Sequence, residues 1–221
     1  RHPGIVEATD AGVGADGDIA GVLSTMQSWP LTIAAILRHA CRVNGDRVVT
    51  TATGHGGYRS LSYRELGEQV AQLAHGLRGL GITGDQRVAT FMWNNAEHLA
   101  VYLAAPAMGA VLHTLNIRLS AEQIAFIANE AEDQVIVADA SLVGVLAPVL
   151  PLLDTVHTVI VAGDADASAL SGHGVTVLRY EDLLAGHPTE FDWPEVDENS
   201  AAAMCYTSGT TGNPKGVVYS H

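Results

Sequence analysis

Basic residues are scarce in this sequence. Lys and Arg total 11 against 24 Asp and Glu, for a formal net charge of −13. The few cations are scattered, so the electrostatic footprint of a protein that binds nucleic acid or an anionic membrane is missing. Cysteine is rarer still. Cys41 and Cys205 stand alone, one in a helix-like and one in a strand-like context. Neither has metal-ligand or redox spacing, so both read as reduced core residues of a cytoplasmic protein. Long apolar runs are also lacking. The stretch from Val143 to Leu153 is short and interrupted by Pro148 and Pro151, which excludes a bilayer span. No basic region is followed by an apolar one, so no signal peptide is expected. The chain opens on Arg1 instead of Met and reads as processed or as cut from a longer protein.

What is present is core-forming sequence. Hydrophobic residues make up 48% of 221 residues, enough for one or two domains with a sizeable interior. Residues 1–29 are rich in Gly, Ala and Asp and read as a flexible N-terminal segment. They include Gly12-Val13-Gly14-Ala15-Asp16-Gly17, a literal G-x-G-x-x-G. A dinucleotide site needs a strand before that motif and a helix after it. Only Ile5-Val6 precedes it, and Asp10, Asp16 and Asp18 would repel a pyrophosphate, so no cofactor role is assigned.

From residue 31 the pattern alternates. Ile33, Ile36, Leu37 and Ala40 predict a helix over 31–43 with one apolar face. Val48–Ala52 and Tyr58–Leu61 flank Gly54-His55-Gly56-Gly57 and predict a hairpin. Ser62 to Glu65 is a capping box, and Leu66, Val70, Leu73, Ala74 and Leu77 then repeat at helical spacing. His75 lies beside that stripe and reads as a partly exposed helix residue. A strand over 87–92 leads through Trp93-Asn94-Asn95 into a helix over 95–108, its asparagines read as caps, with Pro106 ending or kinking it. A strand over 110–113 carries His113, read as a structural hydrogen-bonding residue. Ser120 to Gln123 is a second capping box, with Ile124, Ile127 and Ala128 facing inward. Val135–Ala138 is continuously apolar, as strands of buried parallel sheets are. A helix over 141–150, strands over 156–162 and 175–179 and a short helix over 180–185 follow. Asp164, Asp166 and His173 have no metal-ligand spacing and read as a solvated loop. A Pro/Asp/Glu-rich linker spans 187–199. Short strands alternating with helices imply an α/β, doubly wound, mostly parallel sheet with flanking helices.

The chemistry concentrates near the end, in Tyr206-Thr207-Ser208-Gly209-Thr210-Thr211-Gly212-Asn213-Pro214-Lys215-Gly216. Three glycines, four Ser/Thr hydroxyls and one lysine fall within this stretch. Glycines permit close backbone approach to a ligand, and successive backbone N–H groups in such turns form an anion-binding concavity. Hydroxyls add donors and the lysine a mobile positive charge. The combination suits a polyphosphate. It is not the G-x-x-x-x-G-K-[ST] loop of nucleoside triphosphatases, because Gly216 stands where Ser or Thr is required. Val217-Val218-Tyr219 and Ala201–Tyr206 both read as strand, the latter as a buried one. The loop is therefore expected to join two antiparallel strands, with no helix behind it.

This stretch resembles the signature of the adenylate-forming superfamily of acyl-CoA synthetases, luciferases and peptide-synthetase adenylation domains. Leu61 to Leu66 is similar to an early motif of the same superfamily. Residues 97–133, including Met108 to Ser120, resemble medium- and long-chain fatty acyl-CoA synthetases in particular. The likeness covers about residues 30–221, which would be the N-terminal part of the large AMP-binding domain, ending in a glycine-rich hairpin loop. It implies ATP-dependent activation of a fatty acid to an acyl-adenylate, then thioester formation with coenzyme A. ATP, Mg²⁺ and coenzyme A are the implied cofactor and co-substrates. By resemblance, Thr207 donates its oxygen to the Mg²⁺, Ser208, Gly209, Thr210, Thr211 and Gly212 wrap the phosphates, and Lys215 supplies positive charge as the catalytic residue. His221 matches a histidine of unassigned role. The Tyr-Gly-x-Thr-Glu motif, the ribose aspartate and the adenylation lysine of the superfamily are not found. Thr83-Gly84-Asp85 precedes the loop and does not replace that aspartate, so the chain by itself is expected to be inactive. An unpaired strand edge at its end would favour a homodimer. A non-catalytic binding or interaction module built on this fold, an adenylating enzyme for an aryl or amino acid, and a nucleoside triphosphatase are the competing readings.

Overall fold

The structure, a computed structural model, describes residues 25, 26, 29–53, 56–207 and 214–221. The glycine motif at 12–17, and with it most of the expected flexible segment, lies outside these residues. Helix α1 (Ile33–Val43) begins at Thr32, whose side chain accepts the Ala35 N–H. Its buried residues are Ala34 and Leu37, while Ile36 is 60% exposed. The expected apolar face is thus turned by one position. Leu37, with Cys41 packed beside it, joins α1 to the core that it shares with α2 and α3. Cys41 is half-buried and unbridged, so it is not the fully enclosed residue expected. Its Sγ lies 3.2 Å from the Tyr63 carbonyl oxygen and occupies the space a Cβ on Gly67 would need.

Strands β1 (Val48–Ala52) and β2 (Tyr58–Ser62) form a separate antiparallel hairpin. Ser62 ends β2 and caps helix α2 (Tyr63–Gly79), with both hydrogen bonds of the Ser62/Glu65 capping box present. The five apolar residues expected on its inner face are all buried. Strand β3 (Arg87–Phe91) leads to helix α3 (Ala96–Ala107), capped by Asn95. Pro106 falls in the last turn, and the helix stops one residue later. Strand β4 (Val111–Thr114), helix α4 (Ala121–Glu130), capped by Ser120, and strand β5 (Asp133–Asp139) follow.

The expected helix over 141–150 is broken. Residues 140–142 form a 3-10 turn, α5 (Val143–Leu146) is a single turn, and residues 150–152 are again 3-10. Pro148 and Pro151 lack the N–H groups that would continue the ladder, and Gly144 is a poor helix former. Strands β6 (Thr158–Ala162) and β7 (Thr176–Arg179), helix α6 (Tyr180–Leu184), and strands β8 (Ala201–Thr207) and β9 (Lys215–Ser220) complete the described elements.

Seven strands form one sheet in the order β7-β6-β5-β3-β4-β8-β9. All neighbours are parallel except β8 and β9. Alternate strand residues feed two separate cores, as the two-residue repeat of a strand requires. Val88, Val135, Val137 and Ile160 meet α2 and α3 on one face. Ala89, Phe91, Ile136 and Val159 meet α4 and the broken segment on the other. This is the doubly wound sheet expected from the alternation. The linker over 187–199 is not a free tether. Phe191 and Trp193 pack on the first core, and His75 sets its ring 4.8 Å from Phe191 while its Nε2 lies 2.9 Å from the Glu190 carbonyl.

Candidate functional site

In parallel sheets, ligands meet the carboxyl ends of the strands. Strand β8 runs parallel to β4, so its C-terminal residue Thr207 emerges on that edge. The β8–β9 ladder is antiparallel, and its last pair is Thr207 with Lys215. The two ends of the glycine-rich stretch are therefore held side by side. Ser208, Gly209, Thr210, Thr211 and Gly212 lie outside the described residues. Lys215 opens a strand, two residues before the expected Val217, and not the helix that a triphosphatase loop would require.

Thr207 and Lys215 are both exposed. Lys215 is also the only lysine in the sequence, so the one ammonium group among its side chains stands at this edge. The strands beside it are less buried than their sequence suggests. Only Ala202 is buried in β8, and every residue of β9 is exposed, Val218 by 56% and Tyr219 by 53%. Cys205 is accordingly half-buried, unbridged and not a core residue.

The side chain preceding the pair is Tyr206. It packs against the second core, and its hydroxyl is pushed up to about 12 by burial and by the nearby Glu130 carboxylate. Its ring centroid lies 5.3 Å from that of His113. His113 is fully buried and holds Asp133 through Nδ1, at 2.9 and 2.8 Å from the two carboxylate oxygens. Burial pushes the Asp133 carboxyl up, and the His113 N–H opposes that shift. The expected structural role of His113 is therefore met by a specific partner, Asp133, which spacing along the chain does not reveal. His221, at the end of β9, accepts the Ile33 N–H through Nδ1 at 3.2 Å, and burial lowers its pKa.

A second polar cluster sits where the strand order reverses, between β3 and β5. Asn95 donates to Asp139 at 3.1 Å, Ser141 Oγ to Asp139 at 2.6 Å, and Trp93 Nε1 to Ser141 at 3.2 Å. Its polar groups satisfy one another. Asn95 acts as the cap expected of it, and no ligand role is needed to explain it. Among the described residues no group of three or more His, Cys, Asp or Glu is placed to hold a metal ion, and no helix is long and apolar enough to cross a membrane.

A family model described as "AMP-binding enzyme" matches residues 37–221. The chain belongs to the AMP-binding enzymes. Within that family it is similar to acyl-CoA ligases. It is 38% identical over 200 residues to a medium-chain-fatty-acid–CoA ligase of Ectopseudomonas oleovorans, covering 90% of this chain and 36% of the relative. It is 40% identical over 198 residues to a long-chain-fatty-acid–CoA ligase of Thermus thermophilus, covering 90% of this chain and 35% of that protein. A 3-methylmercaptopropionyl-CoA ligase of Ruegeria pomeroyi is 37% identical over 201 residues, covering 90% of this chain and 37% of its own length. The chain thus spans little more than a third of these relatives. Among solved structures, an anthranilate CoA ligase in complex with anthranoyl-AMP superposes with a TM-score of 0.77 at 18% identity, covering 88% of this chain and 35% of that one. At that identity the likeness speaks for the fold of an AMP-binding enzyme alone. A long-chain-fatty-acid CoA ligase of Rhodopseudomonas palustris, itself described as putative, has a TM-score of 0.72 at 28% identity and covers 86% of this chain and 44% of that one.

Proposed function

We propose that residues 30–221 are the phosphate-binding part of an AMP-forming acid–thiol ligase that activates a fatty acid with ATP and transfers it to coenzyme A. The observation that carries this reading is the terminal ladder pair Thr207–Lys215, set at the carboxyl edge of a parallel sheet in a chain whose relatives are named as fatty-acid–CoA ligases. The difficulty in forming an acyl-adenylate is the charge on the departing pyrophosphate. Lys215 places its ammonium where that charge develops, which stabilises the transition state more than the ground state. Ser208, Gly209, Thr210, Thr211 and Gly212 are assigned to the β- and γ-phosphates through backbone N–H groups and hydroxyls.

The residues present fit magnesium better than a caged metal. Thr207 offers one hard oxygen beside Lys215, and magnesium commonly keeps several waters and takes the rest of its ligands from substrate phosphates. When bound, the ion neutralises part of the phosphate charge. Thr207 would hold and orient it, while Lys215 would supply positive charge to the phosphates without being a ligand.

The test uses the full-length protein encoded by the reading frame that contains this chain. Carboxylate-dependent exchange of pyrophosphate into ATP is expected with fatty acids. Lys215→Ala is expected to slow exchange by roughly 10²–10³-fold, the size of losing one transition-state donor. An unchanged rate would remove Lys215 from the chemistry. Exchange supported only by aryl or amino acids would reject the fatty-acid assignment.

A further inference from the structure

On the second face of the sheet, four side-chain positions run in a row toward the mouth of the loop. Asp133 on β5 is held by His113 on β4, reaching across β3, where the register partner of His113 is the small Ala89. The His113 ring meets the Tyr206 ring on β8, with centroids 5.3 Å apart and planes at 46°. Tyr206 in turn leans over β9. Its ladder partner there is Gly216, and a Cβ built on Gly216 would lie 3.1 Å from Tyr206 Cζ, 3.3 Å from its hydroxyl and 3.4 Å from Cε2. Gly216 carries no positive φ. Its lack of a side chain is explained by the ring lying across it, and not by a turn.

The next rung of the same ladder is Thr207 with Lys215. The contact between the Tyr206 ring and Gly216 therefore lies one rung from the two residues to which phosphate chemistry has been assigned. We infer that Asp133, His113, Tyr206 and Gly216 form a brace that sets the spacing of Thr207 and Lys215, and that His113, Tyr206 and Gly216 are positioning residues for the phosphates of ATP. This rests on the ligase reading above. The buried end of the row supplies rigidity. Asp133 and His113 are both fully enclosed, and although His113 Nε2 has no hydrogen-bond partner, losing the Nδ1–carboxylate contact would leave the acid unpaired in the interior as well, which is costly. The exposed end supplies none of its own, since every residue of β9 is open to solvent.

The experiment is a double-mutant cycle in the full-length protein, comparing Gly216→Ala, Tyr206→Ala and the double variant in pyrophosphate exchange. A methyl group on Gly216 pushes the ring aside. The contacts require the ring to give by a few tenths of an ångström, and since about 1 Å in a reacting geometry can cost up to about 10²-fold, Gly216→Ala is expected to raise KM for ATP by roughly two- to fivefold. KM for the carboxylic acid and the melting temperature should stay close to wild type. In the Tyr206→Ala background the same methyl meets no ring and should add nothing, and Tyr206→Phe, which keeps the ring, should recover most of the ATP affinity lost in Tyr206→Ala. His113→Asn, which keeps a donor for Asp133 but removes the ring surface, should raise KM for ATP in the same direction. An unchanged KM in Gly216→Ala, or an undiminished effect of that substitution in the Tyr206→Ala background, overturns the brace. If the wild-type protein shows no carboxylate-dependent exchange, the ligase reading fails by itself. Amide hydrogen exchange over residues 204–207 and 215–219 then decides the brace: faster exchange in Gly216→Ala supports it, and unchanged exchange overturns it.

Discussion

The hydroxyl of Thr90 lies 2.9 Å from Nε2 of His98, and both residues are buried. On the other side of the ring, Nδ1 lies 3.1 Å from the Trp93 carbonyl oxygen, which can only accept. Nδ1 therefore carries the proton and Nε2 accepts from Thr90. This arrangement holds the imidazole neutral. Burial lowers its pKa below the ordinary 6.5, against smaller opposing effects from the Trp93 carbonyl and Asp139. Below about pH 6.5 the unfolded chain takes up a proton that the folded state refuses, so stability falls as pH drops through that range. Urea midpoints at pH 7.5 and 5.5 should differ, and His98→Gln should reduce the difference. An unchanged difference in that variant would show that other groups carry the acid effect.

The capping boxes give a second prediction. Ser62 and Ser120 each accept an N3 backbone N–H, and Glu65 and Gln123 return the bond. Ser62→Ala and Ser120→Ala should each cost about 1 kcal/mol, measured by chemical unfolding. The Ser62 hydroxyl and backbone N–H also hold the Glu65 carboxyl below its ordinary value. That contribution is present above the unfolded pKa and is lost as pH falls through the folded one, a lower window than that of His98. A Ser62→Ala variant as stable as wild type would show that helix α2 is set by packing alone.

A third prediction concerns the buried pair. Asp133→Ala leaves the His113 imidazole enclosed without its partner, and His113→Ala does the same to the carboxyl. Either should cost roughly 3–5 kcal/mol, as for breaking a buried ion pair. Replacing both by alanine should cost less than the sum of the two single changes. Guanidinium unfolding of the four proteins is the measurement, and strictly additive losses would mean that the two groups do not depend on each other.

The 221-residue chain by itself should bind MgATP weakly and should not turn over. Thr207 and Lys215 are exposed to water, where charge interactions at contact distance amount to only about 1 kcal/mol. Calorimetric titration is the check. Micromolar affinity, or release of pyrophosphate in the presence of acid and coenzyme A, would show that this part of the family fold is sufficient for the chemistry.

The exposed strand β9 ends the sheet order and offers Val217, Val218 and Tyr219 to solvent. An apolar edge of this kind templates pairing with another chain. Light scattering of the isolated chain should report association, reduced in Val218→Lys. A monomer at high concentration in both would remove the edge as a cause.

Much of this was legible in residue order. The stripe Leu66, Val70, Leu73, Ala74 and Leu77 is amphipathic enough that only one face can be buried. The run Val135–Ala138 has no polar face, which only a strand covered on both sides tolerates. The Thr207 and Lys215 ends of the loop follow from strand-forming residues on both sides of a glycine-rich turn. The misreadings have a common cause, since each depends on contacts between distant segments. Ile36 is apolar, yet α1 buries Ala34 and Leu37 and leaves Ile36 exposed, because which side of the stripe is covered is set by the neighbouring segments. Pro148 and Pro151 were visible, but an apolar run around them still resembles a helix until its backbone bonds are followed one by one. Composition cannot separate a tether from a strap, and only the seating of Phe191 and Trp193 on the first core does so. Tyr206 and Gly216 are ten residues apart in a motif whose polar members draw attention. That one makes room for the other appears only once their strands are side by side.

The placement of β8 beside β4 has a consequence for how this chain is made. Strand β4 ends at Thr114 and its neighbour begins at Ala201. At ribosomal rates of about 5–20 residues per second, the roughly 90 residues between them take several seconds to emerge. During that interval β3, β5, β6 and β7 can assemble, while the open side of β4 has no partner. A nascent chain paused before residue 201 should therefore be held by chaperones, and one released after β8 has emerged should not.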